Sequence, residues 1–132
     1  MKSKLNSVNE FHKAFKLGSA ENEPHLVSKE TFSLRYELMR EENDEYLDAC
    51  LYNDLVEIAD ALGDQLYILC GTILKHGMQH KIDEVFNEIH RSNMSKLDFN
   101  GQPIFRNDGK ILKSQNYFKP NLKKFINESP ST

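Results

Sequence analysis

The chain has 132 residues, 39% of them hydrophobic, with no Trp, 6 Gly and a net charge of -3 from 20 acidic and 17 basic side chains. That is one domain's worth of material, and its balance excludes collagen-like and glycine-rich disordered chains and a strongly basic nucleic-acid binder. Asp60 and Asp64 interrupt the longest apolar stretch, so no membrane span of about 20 residues is expected. The leading MKSKLNSVNEFHK carries charge but no apolar run, so no signal peptide is expected either. Cys50 and Cys70 make no disulfide framework and read as small core residues in a reduced, cytoplasmic setting.

In chain order, NSVNEFHKAFKL (6–17) places Val8, Phe11, Phe15 and Leu17 near helical spacing, which predicts a short amphipathic helix ending at Gly18. A loop over 18–28 contains Pro24. Ser28 or Thr31 then caps a long helix over 29–52 that carries Phe32, Leu34, Leu38, Leu47 and Leu51. Asn53 or Asp54 breaks or caps it, and a third helix runs over 54–76 to the stop at His76-Gly77. A fourth, over 79–93, sets Ile82, Val85, Phe86 and Ile89 on one face. The short runs Pro103–Phe105 and Ile111–Leu112 flank Asn107-Asp108-Gly109 and predict a small hairpin. Pro120, a helical turn over Leu122–Ile126 and a polar end complete the chain.

The predicted architecture is all-α: a bundle of four main helices with a small C-terminal hairpin, one domain over 1–132. The third helix is apolar almost all the way round, the pattern of a core helix rather than a surface one. Three other helices can hardly cover it on every side, so a second copy of the chain is expected to complete the bundle as a dimer or a dimer of dimers.

The net charge hides an asymmetry. Between Glu37 and Asp64 there are ten acidic residues and one basic residue, Arg40, whereas the rest of the chain holds 10 acids and 16 bases. Glu57, Asp60 and Asp64 fall on one stripe of the third helix, and Glu41, Glu42 and Glu45 share a stripe of the second. If the two helices pair as an antiparallel hairpin about Asn53-Asp54, the stripes face each other, with an approximate match in height. Ionised carboxylates crowded beside apolar surface repel one another and need a partner. Arg40 alone does not suffice. A hard divalent cation takes all-oxygen ligands, and Mg²⁺ binds through a few carboxylates together with substrate phosphate oxygens, with Mn²⁺ as a substitute. Four or more carboxylates make two metals plausible.

The pattern Glu41-Glu42-x-x-Glu45 followed by Glu57-x-x-Asp60 resembles the EExxE…ExxD signature of the all-α nucleoside triphosphate pyrophosphohydrolases. That superfamily includes MazG, the dimeric dUTPases and phosphoribosyl-ATP pyrophosphohydrolase. The resemblance extends through LVEIADALGDQLYILCGT, HRSNMSKLD and NYFKPNL, over roughly residues 6–126. It implies Mg²⁺-dependent cleavage of a (d)NTP between its α- and β-phosphates, giving a monophosphate and pyrophosphate. It also implies metal binding by Glu42, Glu45, Glu57 and Asp60. Glu41 is then a supporting group or the base that activates water, and Asp64 an extra ligand on the same stripe.

A triphosphate also needs cations at its distal phosphates, and the C-terminal third is basic. Arg91, Asn93 and Lys96 lie at or just past the end of the fourth helix, and the resemblance favours Asn93 and Lys96 for phosphate contact. Lys113, Asn116 and Tyr117 form a second group. Phe11, His12 and Phe15 offer faces for a nucleobase, although their spacing is equally that of core packing. His76 and His80 have no acid to complete a metal site. Two alternatives stay open: phosphoribosyl-ATP hydrolysis in histidine biosynthesis, and a non-catalytic helical dimer whose acids bind cations structurally. Nucleic acid is disfavoured as a partner because the acidic stripe repels phosphates where no metal is bound.

Overall fold

The computed structural model describes residues 1–18 and 20–126. Its elements are α1 (Lys2–Ala14), α2 (Lys29–Leu51), α3 (Leu55–Lys75), α4 (Ile82–Met94), β1 (Ile104–Phe105), β2 (Ile111–Leu112) and a short α5 (Lys123–Ile126). The mostly helical architecture with a two-stranded antiparallel hairpin is the one expected. The chain divides into two compact units, Met1–His80 and the part from Lys81 onward. The expected polar end, 127–132, lies outside the described residues. Among these, no helix is long and apolar enough to cross a membrane.

Helix ends follow local chemistry. The Ser28 hydroxyl caps α2 by accepting the Thr31 N–H at 3.3 Å, and α2 ends where Asn53 turns left-handed (φ 53°), a conformation Asn tolerates. Asp54 then caps α3 by accepting the Glu57 N–H at 3.1 Å. Two boundaries differ from expectation. The first helix spans Lys2–Ala14 rather than 6–17, because Lys16 rather than Gly18 takes the first left-handed turn (φ 58°) and Leu17 N–H closes on the His12 carbonyl at 2.8 Å. The fourth begins at Ile82 rather than 79, so that Asp83 and Glu84 occupy its first turn, where the helix dipole favours acids.

In the first unit α1 and α2 both pack on α3. The core is small: Leu5 and Val8 of α1, Ala49 of α2, and Ala61, Cys70, Ile73 and Leu74 of α3. Two polar side chains join it. Arg35 donates from Nη2 to the Ile68 carbonyl at 2.8 Å and from Nε to Thr72 Oγ1 at 3.1 Å, and His12 is buried beside it. Both fit because position 71 is Gly. A Cβ there would run into the Arg35 guanidinium and come within 3.1 Å of His12 Nε2.

Much of α3 remains uncovered, with Leu55 78% and Leu62 50% exposed. In the second unit, Ile104 pairs with Leu112 and Phe105 with Ile111. Gly109 at φ 86° and the Arg106 N–H···O Lys110 bond at 2.7 Å close the turn expected at Asn107-Asp108-Gly109.

Candidate metal centre

Helix rise decides which acids meet. Glu42 lies nine residues before the end of α2 at Leu51, and Asp64 nine residues after the start of α3 at Leu55. At about 1.5 Å per residue the two stand at one height on the antiparallel pair. Glu42, Glu45 and Asp64 accordingly each offer a carboxylate oxygen within 4.8 Å of the others. Beside them, the Gln65 amide donates to Asn43 Oδ1 at 3.0 Å, a second polar link between the two helices.

The electrostatics of this cluster are those of an unneutralised cage. Burial, then hydrogen bonding to Glu45 and the charges of Glu45, Asp64 and Asp60, push Glu42 up to about 7. Burial and the charges of Asp60 and Glu45 also raise Asp64. Glu42 Oε2 is buried with no hydrogen-bond partner. Arg40 does not relieve the crowding, because its guanidinium is spent on Glu37 at 2.8 Å and Asp44 at 3.2 Å. An all-oxygen donor set with an orphaned buried carboxylate oxygen fits a hard divalent cation.

The remaining expected ligands sit alongside. Glu57 and Asp60 line a cleft of about 270 Å³ with Glu45, Asp48, Tyr52 and Asp54. Glu45 thus belongs both to the triad and to the cleft. The structure brings Asp64, rather than Glu57 and Asp60, into the tightest grouping with Glu42 and Glu45. The signal for this was present in the sequence as the equal distance of Glu42 and Asp64 from the turn. Glu41 is exposed on α2 beside Glu42.

The candidate base-binding residues part company. His12 is buried against Gly71, and burial, then the charges of Lys75 and Arg35, lower its pKa and favour the neutral ring. Phe15 is 64% exposed and stacks on Phe11 with centroids 4.5 Å apart. Phe11 in turn meets Tyr67 edge-on at 5.7 Å.

In the second unit, Arg91 is committed to the chain itself. Its guanidinium donates to Glu88 at 2.9 and 3.3 Å and lies 4.3 Å over the Phe118 ring. Asn93 is exposed and Lys96 half-buried just beyond it. The Lys113 ammonium sits 4.7 Å over the Tyr117 ring, and the Asn116 N–H is held by Ser114 Oγ at 3.0 Å. Sequence reasoning missed Glu88, Ser92 and Ser95. They are polar residues on or just after an amphipathic helix, and their partners Phe118 and Asn121 lie more than twenty residues downstream.

A family model for phosphoribosyl-ATP pyrophosphohydrolase matches residues 8–93, a span that takes in the whole acid-bearing hairpin. No curated protein matches the chain.

Proposed function

The chain belongs to the phosphoribosyl-ATP pyrophosphohydrolase family of the MazG-like superfamily, metal-dependent hydrolases of phosphoric anhydrides, and from that premise we propose a Mg²⁺-dependent nucleoside triphosphate pyrophosphohydrolase. The reaction is (d)NTP plus water giving (d)NMP and pyrophosphate. The observation that carries the reading is the triad Glu42, Glu45 and Asp64 with its orphaned buried oxygen. These three would hold one cation, and Glu45, Glu57 and Asp60 along the adjoining cleft a second. Bound there, Mg²⁺ lowers the pKa of water and neutralises phosphoryl oxygens.

The chain's own groups do the rest. Glu41 takes the proton of the attacking water as its oxygen bonds to phosphorus and the bridging P–O bond breaks toward the departing pyrophosphate. Asn93 and Lys96, with Lys113, Asn116 and Tyr117, hold the distal phosphates, and Phe15 offers an aromatic face to the base. The proposed setting is the cytoplasm, where the free thiols of Cys50 and Cys70 persist.

The test is a panel of (d)NTPs with Mg²⁺, and Mn²⁺ beside it, scored for monophosphate and pyrophosphate. Phosphoribosyl-ATP belongs on the same panel, because the matching family model is named for it. Preferential turnover of that substrate would move the assignment to histidine biosynthesis. Mg²⁺-dependent melting with no pyrophosphate from any nucleotide would reduce the site to a structural one.

A second copy of the chain is the proposed partner. Leu55, Ala59, Leu62, Leu66 and Leu69 follow each other at alternating spacings of four and three along α3, the repeat of an interhelical seam. All five are exposed. Phe32, Tyr36, Met39, Asn43 and Tyr46 repeat the same spacing on α2. Between the two stripes runs a groove of about 450 Å³ lined by Tyr36, Met39, Arg40, Asn43, Gln65 and Leu69. Two parallel seams on one face suit the same face of a second chain, related by a twofold axis.

A further inference from the structure

Among the described residues from Lys81 onward, buried polar groups rather than a large apolar core tie the chain together. Glu88, 5% exposed in the middle of α4, accepts two bonds from Arg91 and one from the Asn121 N–H at 2.7 Å. Ser92 Oγ donates to the Phe118 carbonyl at 2.8 Å, and Ser95 Oγ accepts the Phe118 N–H at 3.1 Å. Ser114 Oγ reaches the carbonyls of Leu97 at 2.7 Å and Ser95 at 3.1 Å.

Both polar backbone groups of Phe118 are therefore held by serine hydroxyls, and its ring lies under Arg91. A buried carboxylate is costly without partners, so these contacts select one register of the segment on α4. Arg91 and the Asn121 N–H hold Glu88 below the usual carboxylate range, as expected for a group bonded in its charged form.

We infer that Glu88 is a positioning residue for the 113–121 segment. By binding Arg91 and the backbone at Asn121 it seats the segment on α4 and orients Lys113, Asn116 and Tyr117. The inference rests on the proposed phosphate-binding role of those three residues. Ser114 carries the seating to them directly, since its hydroxyl holds Asn116 and its carbonyl accepts the Tyr117 N–H at 3.2 Å.

The test compares Glu88→Gln, Lys113→Met and the double variant with the unaltered full chain. KM and kcat are read on the best nucleotide of the panel, together with inhibition by inorganic pyrophosphate. Glu88→Gln keeps the shape but loses the ion pair. It is expected to raise KM and the pyrophosphate inhibition constant by about tenfold, with kcat changed less than about threefold. Lys113→Met should do the same, and the double variant should be no worse than the more affected single one, since both act through one group.

A Glu88→Gln protein that melts earlier yet keeps both constants would overturn the inference, as would additive effects in the double variant. Should Glu88→Gln fail to fold, Ser92→Ala, which removes one bond to Phe118, carries the same expectation and the same refutation. Absence of turnover in the unaltered protein would defeat the functional reading and this inference together. Normal turnover with indifferent Glu88→Gln would defeat this inference alone.

Discussion

Glu42 and Asp64 face each other across α2 and α3, nine residues on either side of the hairpin connection, and with Glu45 they bring three carboxylate oxygens within 4.8 Å. The grouping is unfavourable by itself and favourable around a cation, so its variants should show effects of opposite sign. Asp64→Asn is expected to raise the melting temperature of the metal-free protein by a few degrees, the yield of about 1 kcal/mol of relieved repulsion. The same change should abolish most of the stabilisation given by Mg²⁺ or Mn²⁺ and cut turnover at least about a hundredfold. Thermal melts with chelator and with metal check both signs, and an Asp64→Asn protein with normal metal response would remove Asp64 from the site.

Glu57→Gln and Asp60→Asn separate the adjoining cleft from the triad. Either change is expected to abolish turnover while circular dichroism shows unchanged helix content. Unaltered rates in Glu57→Gln would sink the assignment of a second cation to that cleft.

The raised pKa of Glu42 sets a pH dependence. An unfolded glutamate titrates near 4.5, whereas burial and Glu45 lift the folded one to about 7. Between these values the folded state holds a proton that the unfolded state has lost, so this group's contribution to metal-free stability falls as pH rises from about 4.5 to about 7 and is level above. His12 works the other way. Its lowered pKa leaves the folded state short of a proton below about 6.5, so stability falls as pH drops through that region. The difference in melting temperature between the unaltered chain and Glu42→Gln, followed from pH 4.5 to 8, isolates the glutamate. That difference should move in favour of the variant up to about pH 7 and then level off, and apparent metal affinity of the unaltered chain should rise over the same window.

Gly71 is expected to be intolerant. A methyl group there meets the Arg35 guanidinium and approaches His12 Nε2 to 3.1 Å, and Arg35 is not free to swing because it is buried and bonded to Ile68 and Thr72. Gly71→Ala should therefore destabilise the chain by about 1–3 kcal/mol, even though Ala favours helix over Gly. Denaturant midpoints decide it, and an unchanged or raised midpoint would show that Arg35 has room to move.

The seam on α3 predicts an oligomer. Sedimentation of the unaltered chain should give a multiple of 15.3 kDa, and Leu62→Glu, which puts a charge at the centre of the seam, should give the monomer mass. A monomeric unaltered chain would leave the stripe without the proposed partner.

Several of these features are legible without coordinates. Helix number, the start of α2 at Ser28 or Thr31, its end at Asn53 or Asp54 and the turn at Asn107-Asp108-Gly109 all follow from side chains acting on backbone within a few residues of themselves. Ends of helices were less legible: Lys16, not Gly18, makes the first left-handed turn after α1, because closure onto the His12 carbonyl is set by the packing of α1. The acid-rich hairpin was readable as a metal-binding pattern, but spacing along each helix does not say which rungs face across to the other. That is why Asp64 ranked below Glu57 and Asp60 by motif and stands closer to Glu42 in space.

What the sequence determined alone is the chemistry: the all-oxygen donor set, its concentration between Glu37 and Asp64, and the helices that carry it. Tertiary structure decided the pairing. Fixed rise per residue and one tight turn put Glu42 level with Asp64. The missing side chain of Gly71 let Arg35 and His12 close on α3, and a buried Glu88 that accepts the Asn121 N–H tied the 113–121 segment to α4. Each of these depends on the distance between residues far apart in the chain, a quantity that local propensity and spacing do not contain.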